Sequence, residues 1–231
     1  MFFNKKKDEP ERAGVIVADN PTSIVSEQFR TIRTNIQFSM IDREIKTISV
    51  TSAAPSSGKT TVASNLAGVF AAQDTRVLVV DTDMRKPTVH KVFKTQNHPG
   101  LTNLLTKRSL KVEDVVRSSD VENLDFLTCG VIPPNPSELI NSKRMGELIA
   151  EMEAAYDLII FDNPPLLAVT DAQIMATKVD GTIVVVPQGE VTKDELDQAS
   201  QLLEKVGANV LGSVLNKVDA ASDTYYYYGE E

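Results

Sequence analysis

The sequence predicts an α/β domain: a mostly parallel sheet with helices on both faces, in a single domain. Three observations carry this. Short apolar runs alternate along the chain with segments whose apolar residues recur at helical spacing. The runs are apolar throughout instead of alternating with polar residues, the pattern of strands covered on both sides. Two of them end in aspartate, and the carboxyl ends of parallel strands are where such sheets gather ligands. At 231 residues the chain is long enough to bury a core without staples, and it shows no internal repeat and no second domain.

Residues 1–20 are polar and charged and read as a mobile arm. Ser26 is the expected cap of a helix over 27–41, where Phe29, Ile32, Ile36 and Met40 share one face. A strand over 47–51 (TISVT) leads to a helix over 60–73, with Val62, Leu66, Val69 and Phe70 on one side. A strand at 76–80 (RVLVV) precedes short helical stretches at 89–93 and 101–105. A strand at 124–127 is followed by one long helix over 137–155. Strands at 158–161, 181–186 and 210–215 are separated by helices at 171–177 and 192–206. The folded domain is expected over 21–217, and residues 218–231 form a separate tail.

Charge and cysteine content narrow the function. Thirty-two acidic against 24 basic residues give a net charge of −8, which excludes a generic nucleic-acid binder. The one cysteine, Cys129, excludes an internal disulfide framework and a cysteine zinc site, and fits a reducing cytoplasm. No apolar leader follows Lys5-Lys6-Lys7, and no apolar run approaches the ~20 residues of a membrane span. Membrane association is therefore expected only through a partner or through weak basic contact from the N-terminus. The charge is lopsided: residues 218–231 carry Asp219, Asp223, Glu230 and Glu231 and no Lys or Arg, and four of the five tyrosines, Tyr225, Tyr226, Tyr227 and Tyr228, lie there.

The strand at 47–51 opens onto Ser52-Ala53-Ala54-Pro55-Ser56-Ser57-Gly58-Lys59-Thr60-Thr61. Against the template G-x-x-x-x-G-K-[ST], Gly58, Lys59 and Thr60 match and Ala53 replaces the first glycine. Strand, loop and helix N-terminus together make an anion cradle of backbone N–H groups. Ser56, Ser57, Gly58, Lys59, Thr60 and Thr61 are the candidate nucleotide contacts, with Lys59 reaching the β/γ-phosphates and the Thr60 hydroxyl ligating Mg2+. The expected fold is thus a P-loop NTPase. Asp162, closing the run Ile159-Ile160-Phe161, has the Walker B form. Asp81 and Asp83 close Val79-Val80 and exceed what an ordinary P-loop ATPase needs. One carboxylate can orient the metal's water shell while another accepts a proton; alternatively the pair only terminates a strand. Arg85 could pair with phosphate oxygens or sit in a solvated turn. Asn216, in Asn216-Lys217-Val218-Asp219, is either an adenine contact or a strand end.

A P-loop, an hhhDxDxR motif after the next strand and a Walker B together resemble the bacterial tyrosine kinases of capsule and exopolysaccharide systems. Three more features are similar: Glu27, Arg30 and Arg33 form E-x-x-R-x-x-R, residues 129–139 form a proline-rich stretch, and the tail carries the tyrosine cluster. The likeness runs from about Ser23 to the end of the sequence. It departs at Ser56-Ser57, where the family usually has a glycine, and at Asn163, where a hydroxyl residue commonly follows the Walker B Asp.

The resemblance implies an ATP- and Mg2+-dependent autokinase. Lys59 and Thr60 hold ATP and magnesium, Asp81 takes the tyrosine proton, Asp83 and Asp162 organise the metal, and Tyr225 to Tyr228 are the acceptors. It also implies a homo-oligomeric ring contacted through Glu27, Arg30 and Arg33, although steps of three on a helix equally allow intrahelical Glu–Arg pairing. It further implies a transmembrane adaptor of the polysaccharide co-polymerase type as activator, a cognate tyrosine phosphatase, no nucleic acid, and a cytoplasmic protein recruited to the membrane's inner face. Two rivals share the fold or the site. A partitioning or division ATPase would carry a lysine at the place of Ala54, which is absent, and a nucleotide-regulated assembly factor would need no catalysis.

Overall fold

The computed structural model describes residues 14–39 and 44–218. Its centre is a seven-stranded sheet of β1 (Thr47–Ser52), β2 (Val77–Asp81), β3 (Arg117–Ser118), β4 (Leu124–Leu127), β5 (Leu158–Asp162), β6 (Gly181–Pro187) and β7 (Val210–Asn216). The spatial order is β3-β4-β2-β5-β1-β6-β7. Every neighbouring pair is parallel except β3 with β4. The helices are α1 (Ile16–Asp19), α2 (Ile24–Ser39), α3 (Lys59–Ala71), α4 (Val89–Val92), α5 (Leu101–Thr106), α6 (Pro136–Asn141), α7 (Lys143–Glu153), α8 (Asp171–Ala176) and α9 (Lys193–Lys205). The expected doubly covered parallel sheet is present.

The two-residue pleat explains why β2 and β5 are apolar up to their closing aspartates. Val77 and Val79 of β2, with Leu158 and Ile160 of β5, pack with α2 and α3 on one face. Leu78 and Val80, with Ile159 and Phe161, pack with α5, α6 and α7 on the other. A smaller cluster of Ala53, Leu166, Ala172, Ala199 and Leu203 joins α8 and α9 beside the phosphate loop. β2 and β5 thus serve two cores, whereas β1, between β5 and β6, also buries the hydroxyls of Thr47, Ser49, Thr51 and Ser52.

Four expectations change. Gly14 to Asn20, assigned to a mobile arm, is packed: Val15 and Val17 are buried, and the Val17 N–H donates to Asn65 Oδ1 of α3 at 3.1 Å. The approach is close enough that a Cβ on Gly68 would meet Val17 at 2.6 Å. Ser26 does not cap α2. It lies inside the helix, fully buried, and Ser23 Oγ accepts the Ser26 N–H at 3.2 Å instead. The helix expected over 137–155 is two helices. Ser142 turns extended (φ −65°, ψ 153°) and its side chain caps α7 by accepting the Met145 N–H. The antiparallel β3 was not anticipated, since two residues carry no periodicity. Residues 1–13, Met40 and the tail with Tyr225 to Tyr228 lie outside the described residues.

Candidate active site

The phosphate loop sits between β1 and α3. Its turn needs two left-handed residues, Ser56 (φ 60°) and Gly58 (φ 86°). Ser52 Oγ and Ser57 Oγ both donate to the Ala54 carbonyl, at 2.6 and 2.7 Å, and tie the loop to its own start. Gly58 tolerates no side chain, because a Cβ there would lie 2.2 Å from Asn216 Nδ2. That amide donates to the Ser57 carbonyl at 2.9 Å, so the end of β7 braces the loop. Asn216 is thus in contact with loop backbone, whatever else it touches.

Register assembles the carboxylates. Asp81 of β2 lies directly opposite Asp162 of β5. Asp162 Oδ2 accepts the Thr60 hydroxyl at 2.5 Å, while its Oδ1 is buried without a partner. Asp81 is fully buried. Its Oδ2 accepts the N–H groups of Thr88 and Val89, both at 3.0 Å, and its Oδ1 that of Asp83 at 3.2 Å. Asp83 keeps 8% exposure, and its Oδ1 accepts the Arg85 and Lys86 N–H groups. Lys59, only 9% exposed, is near enough to feel Asp162 and Asp83.

Burial dominates the electrostatics. It raises Asp162 to about 7, against the Thr60 hydrogen bond and the Lys59 charge, which favour ionisation. It pushes Asp81 well above the usual carboxylate range, with Asp162 adding to the rise. It lowers Lys59, with Asp162 and Asp83 opposing. Three acids crowded at one sheet edge need a cation.

The residues fit magnesium better than a metal caged by protein alone. Among the described residues no group of three or more His, Cys, Asp or Glu side chains is placed to hold an ion by itself. Magnesium keeps most of its water and binds through one or two carboxylates plus substrate phosphates. The unpartnered Asp162 Oδ1 beside the Thr60 hydroxyl is that kind of half-site.

Other expected residues have different neighbours. Arg85 forms a forked contact with Asp171, Nε to Oδ2 at 2.9 Å and Nη2 to Oδ1 at 3.3 Å, so its guanidinium is already paired with a carboxylate. Glu27 pairs with Arg30 on α2, the intrahelical contact that helical spacing allows. Arg33 donates to the Val69 carbonyl at 2.7 Å, near the C-terminus of α3, and burial lowers its pKa. Sequence reasoning missed Asp171, Ser137 and Thr88. Asp171 and Ser137 open the first turns of short helices, and Thr88 precedes one, so only their meeting in space marks them.

The profile of a family described as an AAA domain matches residues 45–215. Tyrosine-protein kinase YwqD of Bacillus subtilis (strain 168) is 46% identical over 230 residues, covering 99% of this chain and 97% of that protein. Among solved structures, the chimerical protein CapA2B2 superposes with a TM-score of 0.85 at 42% identity, over 88% of this chain and 89% of the other. The kinase domain of Escherichia coli tyrosine kinase ETK does so with 0.86 at 34% identity, over 98% and 89%.

Proposed function

This chain belongs to the bacterial tyrosine kinases of the capsule type, built on an AAA-type P-loop domain, and on that premise we propose that it phosphorylates its own tyrosines Tyr225 to Tyr228 from Mg·ATP. It is a protein-tyrosine kinase. Phosphoryl transfer asks the protein mainly for positioning and charge stabilisation. Lys59 and the backbone N–H groups of residues 56–61 hold the β- and γ-phosphates. Magnesium, when bound, neutralises charge on the transferring oxygens. Thr60 would hold it directly, and Asp162 and Asp83 through its water shell. The tyrosine oxygen attacks the γ-phosphorus, the β–γ bridging bond breaks toward ADP, and Asp81 receives the tyrosine proton.

The observation that supports this most is the extra carboxylate pair Asp81/Asp83 on the strand next to Asp162, with Asp81 facing it in register. A hydrolase needs to activate only water; a pair beyond the Walker B acid suits a bulkier hydroxyl acceptor. Exposure favours a second reading of the base. Asp83 keeps 8% and Asp81 none, so Asp83 is the acid a substrate meets first. Asp81→Asn and Asp83→Asn separate the two. Loss of the base costs about 10²–10⁴ in rate with nucleotide affinity intact, whereas loss of a metal-organising acid also raises the Mg2+ requirement.

Transfer runs between subunits of a ring. Eight residues, 217–224, separate β7 from Tyr225, a reach of roughly 30–32 Å when extended. In-line attack restricts the approach direction, which favours a neighbour's tail over the chain's own. The activator is a transmembrane adaptor, a partnership suggested by the chimerical CapA2B2. The adaptor brings the kinase to the inner membrane face; among the described residues no helix is long and apolar enough to cross a membrane. A cognate tyrosine phosphatase resets the tail, and the cycle regulates polysaccharide synthesis and export. Phosphotyrosine mapping after incubation with Mg·ATP, with and without the adaptor's cytoplasmic segment, tests the reading. Labelling is expected on the tail, and none in Lys59→Met. A site-dead chain with an intact tail should be labelled by an active chain lacking its tail; no labelling in that mixture overturns transfer between subunits.

A further inference from the structure

Thr88 occupies the N-cap of α4, where a threonine side chain ordinarily accepts a backbone N–H of the first turn. It makes no such bond. Asp81 Oδ2 takes the Thr88 and Val89 N–H groups, and the Thr88 hydroxyl points elsewhere, lying 2.5 Å from Thr60 Oγ1. Thr60 has one proton and two lone pairs. Its proton goes to Asp162 Oδ2, so Thr88 is the donor in the pair of hydroxyls. One Thr60 lone pair is then filled and one remains.

We propose that Thr88 is a positioning residue for the metal site: its hydroxyl fixes the rotation of Thr60 and aims the remaining lone pair at magnesium, while its backbone N–H mounts Asp81 on the same residue. This rests on the reading of Thr60 as the metal ligand. The consequence is mechanical coupling. The metal ligand and the buried acid opposite Asp162 cannot move independently, because both hang on Thr88.

The test is a magnesium titration of the full chain at a fixed concentration of a fluorescent ADP analogue. Thr88→Val and Thr88→Ala, which remove the hydroxyl but keep the N–H, should need about 10- to 100-fold more Mg2+ for half-maximal binding, the usual loss when an outer-shell partner of a metal ligand is removed. Thr88→Ser should behave as wild type. Binding of the analogue in EDTA should be the same in all four proteins, which reports an intact nucleotide site. Thr88→Ala serves in place of Thr88→Val if the extra methyl disturbs that binding. A wild-type Mg2+ requirement in Thr88→Val and Thr88→Ala overturns the proposal. Thr60→Ala distinguishes the two levels. If it raises the Mg2+ requirement and the Thr88 variants do not, only the role of Thr88 falls; if it does not, the metal-ligand reading falls and takes Thr88 with it.

Discussion

Asp162 is the residue whose chemistry the fold alters most. Its carboxyl, ordinarily near 3.8, is raised to about 7 by burial. Without metal, the unfolded chain has lost this proton by mid-acid pH while the folded protein retains it until near neutrality. The folded state therefore binds more protons across that window, and stability falls as pH rises through it. Asp81 acts in the same direction. In EDTA, thermal stability should decline between about pH 4 and 7, by on the order of a few kcal/mol from Asp162, and less steeply in Asp162→Asn. Added Mg2+ should reverse the decline. A flat profile in EDTA would show that the carboxylates are relieved by something other than a cation. Asp162 was legible in the sequence because an apolar strand ending in Asp after a P-loop is a local pattern. Thr88 and Asp171 were not, because their side-chain partners, Thr60 for the one and Arg85 and Ser137 for the other, lie 28 or more residues away.

At the scale of elements, the strands were legible and the helix ends less so. Two-sided burial writes itself as unbroken apolar runs, so β1, β2, β4, β5, β6 and β7 all fell within a residue or two of expectation. Helix boundaries depend on which hydroxyl captures which N–H, and several serines compete. Ser23 won over Ser26, and Ser142 interrupts a run whose helical periodicity continues on both sides of it. Ser142→Ala should cost about 1 kcal/mol, a typical N-cap loss, seen as a lower denaturant midpoint with an unchanged slope. The cost should be local, leaving nucleotide affinity alone, since α7 packs on the far core cluster through Met145, Leu148 and Met152. The same lesson holds for α1: its four residues are too short for a periodic signal, yet two valines suffice to dock it on α3.

The whole molecule carries a net charge of −8, half of it in residues 218–231. Each phosphotyrosine adds about −1.5 to −2, so on the proposed function four would roughly double the total and concentrate it on one face of the proposed ring. Phosphorylated protein should therefore leave the ring, and do so more completely at low salt, where repulsion is less screened. Size-exclusion with light scattering of fully phosphorylated and unmodified protein checks this, and a ring that persists at low salt contradicts it. The order of strands has a consequence of a different kind, during synthesis. β1 sits at the heart of the sheet between β5 and β6, yet its first partner, Ile159 opposite Thr47, follows about 110 residues later. At about 5–20 residues per second the ribosome takes roughly 5–20 s to cross that gap. For that interval TISVTS is an unpaired strand, its backbone N–H and C=O groups without sheet partners. Asp162 arrives with β5 and Asn216 with β7, so the loop that reads the nucleotide is braced only once the chain has passed residue 216.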